Sequence, residues 1–336
     1  MTAAVRILFV ILAVLLLVPG WTGKVRLDLL PAHPGVTAYR VDLDPRDPAR
    51  RHVGRLTYLG GVQLVGSDPA FGGYSALRVE GHRFTLLSDG GTILRFTMGA
   101  DWHPRDVTGA NVPTGPGTGW EKRDRDTESM ASDGHHAWVG FERVNQIWRY
   151  ESDMKRGAGF VAPSAMAKWS ENGGPESLVR LADGRFVVIS ERSHTPPQWW
   201  PGSNESRLAT RDSLIFAGDP VNAPPPQRFS IVEQGRYDIS DAAVLPDGDL
   251  LLLNRVFELP FHFVTRVTRV RARDVEPGVI ATPTTVATIG TPLIGENFEG
   301  LAITREGLST ILWMVSDDNQ SVLQRTLLLK FRLNRD

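Results

Sequence analysis

Five times along this chain a polar or acidic residue opens a short apolar segment, a glycine turn follows, and a second apolar run closes on another polar pair. The copies are residues 74–89 (YSALRVEGHRFTLLSD), 128–143 (ESMASDGHHAWVGFER), 176–192 (ESLVRLADGRFVVISER), 241–255 (DAAVLPDGDLLLLNR) and 299–317 (EGLAITREGLSTILWMVSD). Each reads as a β-hairpin, with Gly or Asp-Gly supplying the turn and Val, Ile, Leu and Phe the returning strand. A repeat of roughly fifty to sixty residues is too long for a helical solenoid and suits the blades of a propeller. The expectation is an all-β propeller with five recognisable repeats, five blades favoured and six possible, a sixth having room only around residues 195–235.

Hairpin geometry also locates a site. The opening and closing polar residues of each copy finish at the same end, so Glu128 is expected near Glu142, Glu176 near Glu191, and Glu299 near Asp317. Blades stacked around an axis bring those ends to one rim and the turns to the other. Between the copies lie candidate outer strands beginning at Ile93, Gln146, Leu214, Arg228, Thr265 and Thr285, and a last strand from Thr326. The segment 54–65 is expected to pair with that last strand and close the ring, removing exposed edges. Residues 101–125 and 193–213, the latter with Trp199 and Trp200, read as long loops that either bind or cover apolar surface.

The N-terminus carries Arg6 followed by an apolar core, residues 7–18, and then Pro19-Gly20. A basic residue before a short apolar run is the pattern of a secretory signal, and twelve residues are short for a bilayer span. No A-x-A cleavage site follows. Residues 1–23 are therefore expected to be a signal peptide or a signal-anchor helix and residues 24–336 one propeller domain, periplasmic or secreted, with residues 5–18 as the one membrane contact if uncleaved. The absence of cysteine excludes disulfides, thiolate metal sites and a cysteine nucleophile. A formal net charge of −1 gives no footprint for nucleic acid. No G-x-S-x-G elbow occurs, and Gly115–Lys122 lacks the spacing of a phosphate loop.

What remains is the acids. Glu128, Glu176, Asp241 and Glu299 open four of the hairpins, with Tyr74 at the matching place in the first. Hard oxygen donors of this kind suit Ca²⁺, Mg²⁺ or Mn²⁺, with Asp317 as a further ligand and Asn172, Asn254, Asn297 and Asn319 as carbonyl donors. Glu128, Glu176 and Glu299 are the candidate catalytic groups. Arg143, Arg192 and Arg255 recur after the closing strands and are candidates to bind an anionic substrate through their planar forks; the alternative is that they neutralise the acids across blade seams. His135 and His136 lie in a turn at the opposite rim.

The motifs at Gly72–Arg78, Phe84–Gly91, Asp126–Ser129, Gly140–Arg143, Asn172–Leu178, Asp183–Glu191, Asp241–Arg255, Asn297–Ala302, Val315–Asn319 and Gln324–Phe331 together resemble the phytase-like family described by the esterase-like activity of phytase. The resemblance runs over residues 54–334. It implies a β-propeller that hydrolyses phosphate or carboxylic esters, and it assigns no catalytic residues. The expected function is thus an exported, metal-assisted phosphoesterase or esterase acting on a small anionic or ester substrate. The alternatives are a non-catalytic propeller that binds a ligand or a protein, and a metal-dependent lactonase.

Overall fold

Runs such as Leu250-Leu251-Leu252-Leu253 are apolar at every position because both faces of the strand are covered. Successive side chains of a strand point to opposite faces. Leu250 and Leu252 accordingly enter one core with Val187 and Ile189, while Leu251 and Leu253 enter another with Leu301 and Leu312. Phe186 and Val188 face the other way again, towards Trp138. Among the described residues every buried apolar cluster joins two neighbouring blades in this manner.

A computed structural model of the chain describes residues 5–7, 26–194, 209–259 and 262–334. They form five sheets. Blade 1 runs outward from Tyr74–Glu80 through Arg83–Ser88 and Thr92–Met98 to Pro104–Asn111. Blade 2 runs from Thr127–Ser132 to Gly157–Val161, blade 3 from Pro175–Arg180 to Gln227–Val232, and blade 4 from Asp238–Val244 to Thr284–Ile289. Ile280–Ala281 adds a short parallel strand to the edge of blade 3. Blade 5 starts at Asn297–Glu306 and continues through Ser309–Asp317 and Thr326–Leu333.

The ring closes as a mixed blade. Leu56–Gly66, from the N-terminal side, pairs antiparallel with Thr326–Leu333, and Val36–Arg40 covers its far edge. Leu56, Val62, Leu327, Leu328, Leu329 and Phe331 are all fully buried there, so the two chain ends are held by one core. The inter-strand turns at the far rim sit at Gly81, Gly134, Gly184, Gly248 and Gly307, each with φ between 58° and 92°, which side chains with a Cβ seldom adopt.

One expectation needs correction, and the six-blade alternative falls away. Residues 101–125 are not one loop: Pro104–Asn111 is the outer strand of blade 1 and Lys122–Arg125 a single 3-10 turn. Residues 210–232, in the region left open for a sixth blade, supply the outer strands of blade 3. Residues 5–7 are helical. The rest of the apolar N-terminal stretch, Trp199 and Trp200 lie outside the described residues, and no described helix is long and apolar enough to cross a membrane.

Closure by Leu56–Gly66 has a direct test. Deleting residues 1–65 uncovers the fully buried edge of Thr326–Leu333, and the product is expected to show no cooperative thermal transition. Deleting residues 1–23 should leave the melting temperature within about 2 °C, a change of about 1 kcal/mol at most for a domain of this size. Differential scanning calorimetry of both truncations reads the outcome.

Candidate functional site

Each inner strand begins with a break in its ladder. Pairing with the second strand skips one residue, and the skipped residues are Ser75, Glu128, Glu176, Ser240 and Glu299. A bulged residue leaves the strict alternation of the pleat, and this frees the three glutamates to face the propeller axis. On the second strand, the residue after the partner of the one preceding each bulge forms a second ring: Asp89, Glu142, Glu191, Arg255 and Asp317.

Both rings line one axial cavity of about 200 Å³. Its walls carry Asp89, Glu128, Glu142, Glu176, Glu191, Glu299 and Asp317, with Arg192, Arg255, Asn172 and Asn319. Seven carboxylates therefore face two guanidiniums. Arg255 is the central counter-charge, 2.9 Å from Glu299 and 3.1 Å from Glu191. Arg192 lies 3.1 Å from Glu191, and Lys122, just outside the wall, is 2.7 Å from Asp89. Asn297 Nδ2 donates to Glu299 Oε1 at 2.8 Å.

These cations do not balance the cluster. Burial, followed by repulsion from Glu176, Glu299, Glu142 and Asp126, holds the Glu128 carboxyl well above the usual range. Burial together with Glu191 and Glu142 does the same to Glu176, against the pull of Arg255. Burial, with Glu299 and Asp89, raises Asp317. Glu142 is pushed up to about 7, chiefly by burial and then by Asp126 and Glu191. Burial would lower the pKa of Arg255, but the surrounding carboxylates raise it instead. The cluster thus keeps protons at neutral pH unless another cation replaces them.

Two triads in the cluster have carboxylate oxygens within 4.8 Å of one another: Asp126, Glu128 and Glu142, and Glu142, Glu176 and Glu191. Glu142 belongs to both. An all-oxygen set of this spacing fits a hard divalent cation, whose oxygen ligands stand about 2.0–2.6 Å away.

The structure brings together Glu128, Glu176, Glu299, Asp317, Asn172, Asn319, Arg192 and Arg255, but not the other sequence candidates. Asp241 is one residue past the bulge, and its carboxylate accepts hydrogen bonds from the backbone N–H of Ala242 and of Leu301, both at 2.7 Å. It ties the inner strands of blades 4 and 5 together and does not line the cavity. The residue equivalent to Glu128 in blade 4 is Ser240, whose Oγ donates to Phe298 O across the same seam. Tyr74 is one residue too early: it is buried in the core beside Phe71, and Ser75 holds the bulge. Arg143 pairs with Asp126 at 2.8 Å outside the cavity. It is also not equivalent to Arg255, which stands at the ring position of Glu142 and Glu191. Asn254 and Asn297 are buried away from the cavity wall. Asp89, Asp126, Glu142 and Glu191 are the acids missing from the sequence assignment; aligning the copies on the end of the second strand exposes three of them.

The family model described as "Phytase-like: Esterase-like activity of phytase" matches residues 69–320. The chain belongs to the phytase-like family. No curated protein matches it. Among solved structures, this phytase-like chain is similar to a hypothetical protein from Leishmania major (11% identity, 97% of this chain and 94% of the other, TM-score 0.39). It is also similar to the nidogen/laminin complex (8%, 88% and 96%, TM-score 0.41) and to the Cps50 (Swd1) β-propeller domain of Myceliophteria thermophila (10%, 90% and 99%, TM-score 0.39).

The raised carboxyls set the pH dependence of the metal-free phytase-like propeller. Glu142 titrates near 7 in the fold against an ordinary value of 4.5, so the folded state binds the extra proton between those values. Its contribution to stability is complete below about 4.5 and is lost as pH rises through about 7. Chelator-treated protein should melt at a lower temperature at pH 8 than at pH 5.5. Glu142→Gln should raise the pH 8 value by about 2–4 °C, the shift for ~1 kcal/mol in a large domain, and flatten the slope. A melting temperature that climbs between pH 5.5 and 8 would contradict this assignment.

Proposed function

We propose that this phytase-like propeller is a divalent-cation-dependent hydrolase of phosphate or carboxylic esters, with the axial cavity as its active site. The observation that carries the reading is the convergence of seven buried or half-buried carboxylates on a cavity of about 200 Å³ with Arg192 and Arg255 as the only cations in its wall among the described residues. Such a set is stable as a protonated cluster or around a bound cation, and Glu142, which belongs to both triads, would be a ligand in either. Bound there, a Ca²⁺, Mg²⁺ or Mn²⁺ ion supplies Lewis-acid polarisation of an ester or phosphoryl oxygen and lowers the pKa of a coordinated water.

The chain's own groups divide the remaining work. Burial and the neighbouring carboxylates of Glu176, Glu299, Glu142 and Asp126 disfavour the ionised form of Glu128, so its carboxyl holds a proton that a leaving-group oxygen can take. Burial raises the Glu299 carboxyl, against the pull of Arg255 and of the hydrogen bond from Asn297, and a carboxylate of raised basicity held by these two contacts suits a base for the attacking water. Arg255 orients Glu299 and Glu191 together, and Asp241 fixes the spacing of blades 4 and 5 behind them.

Purified protein should contain a divalent cation or take one up, releasing protons as it binds, with affinity rising between pH 6 and 8. Glu142→Gln and Glu176→Gln should each weaken binding at least tenfold, as loss of a charged ligand does. They should reduce hydrolysis in parallel on a panel of aryl acetates, aryl phosphates and lactones. Asp241→Asn should lower the melting temperature while leaving cation affinity within about twofold. Cation binding without turnover on any of the three ester classes would leave a ligand-binding propeller, and turnover of lactones alone would leave a lactonase.

A further inference from the structure

The arginines of the axial cavity are committed to carboxylates, but two guanidiniums on the same rim are not. Arg236 and Arg266 form no ion pair with any described residue. They line a separate cavity of about 420 Å³, together with Tyr237, Val256, Glu233 and Glu258. One wall is the loop that leads into the inner strand of blade 4. The other is the hairpin Leu250–Glu258 and His262–Val270, whose pairing runs on past Arg255↔Thr265 to Glu258↔His262 and so stands above the axial rim.

The Arg266 guanidinium sits over the Tyr237 ring, with its Cζ 4.0 Å from the centroid. Its Nη1 donates a long bond of 3.4 Å to Gln234 O, and its buried Nε has no acceptor among the described residues. A buried guanidinium N–H without an acceptor is costly, and the stack fixes the plane of the fork without satisfying it. Arg236 is exposed beside it. Of the two acids on the wall, Glu233 is taken by His194 at 2.8 Å and Arg211 at 3.4 Å, and Glu258 is exposed at the lip, across the strand pair from His262.

We propose that this cavity is an oxyanion-binding subsite, in which Arg266 presents its pre-oriented fork to a phosphate, sulfate or carboxylate group and Arg236 closes on the same group from solvent. A planar fork and a planar or tetrahedral oxyanion match in geometry, which a lysine at either position would not reproduce. The cavity is joined to the axial site through the ion pairs Glu233–Arg211–Asp238–Arg192–Glu191. The ligand is then an anionic group carried by the ester substrate at a distance from the scissile bond. That last identification rests on the hydrolase reading, whereas anion binding in the cavity does not.

The two are separable because the metal-free axial site is acidic and repels anions. Inorganic phosphate titrated into chelator-treated full-length protein, followed by calorimetry or by ³¹P line broadening, should bind at one site. Arg266→Ala should weaken it by about tenfold or more, as loss of a charge-assisted hydrogen bond does. Arg266→Lys should lose several-fold, Arg236→Ala should lose several-fold, and Glu258→Gln should tighten binding. Cation affinity at the axial site should stay unchanged in Arg236→Ala, whose side chain is exposed, which also controls for folding. Phosphate affinity that is equal in wild type, Arg236→Ala and Arg266→Ala would overturn the proposal. So would binding that appears only after cation is added and disappears in Glu176→Gln, since the anion would then sit on the axial cation. If phosphate binds as stated while no ester is turned over, the subsite stands and the hydrolase reading falls.

Discussion

The bulge at the mouth of each inner strand is the constraint on which both the ring and its site depend. Side chains of a strand alternate between faces, and here both faces are apolar seams between blades. A glutamate placed in the regular ladder would enter one of those seams. Skipping one residue in the pairing removes Glu128, Glu176 and Glu299 from the alternation and delivers them to the axis, while the ladder resumes in register behind them. Where the skipped residue is serine the same device serves the seam. Ser75 donates to Thr127 O at 2.7 Å and Ser240 to Phe298 O at 3.0 Å, each bonding the next blade's inner strand. Ser129, one place after a bulge, does the same to Pro175 O at 2.5 Å.

The second ring shows how far the charge imbalance is tolerated. Its five positions hold Asp89, Glu142, Glu191, Arg255 and Asp317, four acids and one base. Arg255 reaches acids from blades 3 and 5 from its own place in blade 4, so one guanidinium serves two neighbours. Asp126, Glu128 and Glu142, on the opposite side of the axis, receive no such partner beyond Arg143 on Asp126. Breaking a buried charge pair leaves an uncompensated charge and is strongly destabilising, so Arg255 marks the half of the cavity that is structurally committed. The unbalanced half is the one with room for an added cation.

Much of this was legible in the sequence, and the errors have one physical origin. The hairpins, their glycine turns, the five-blade ring and the closing strand all follow from apolar patterning and turn chemistry, which act over a few residues. The gathering of Glu128, Glu176, Glu299 and Asp317 follows from the two-strand return. A bulge, however, leaves no mark in apolar periodicity. The copies drift by one residue where they are aligned by eye on their first polar residue. That drift assigned Asp241 and Tyr74 to the site in place of Ser240 and Ser75, and it set Arg255 level with Arg143 and Arg192 instead of with Glu142 and Glu191. The variable lengths between bulge and closing residue, longest in blade 5, conceal the second ring for the same reason. Pro104–Asn111 was hidden differently: its sequence, PRDVTGAN, is an outer edge strand with no buried face to impose alternation.

A strongly acidic cavity and two guanidiniums on one rim that pair with no described residue would ordinarily neutralise each other. What prevents this is the chain of matched charges between them. Arg192 and Arg211 both contact Asp238, and Arg211 together with His194 holds Glu233. Each member faces an opposite charge: Arg192 serves Glu191 of the axial cavity, and neither Asp238 nor Glu233 pairs with Arg236 or Arg266. The projecting hairpin of blade 4 adds distance, because Arg266 is anchored by its stack on Tyr237 and cannot swing inward without losing that contact. The rim therefore keeps two poles of opposite sign apart. That is an arrangement of no value to folding, and it suits a ligand that carries a cation-coordinating group at one end and a free oxyanion at the other.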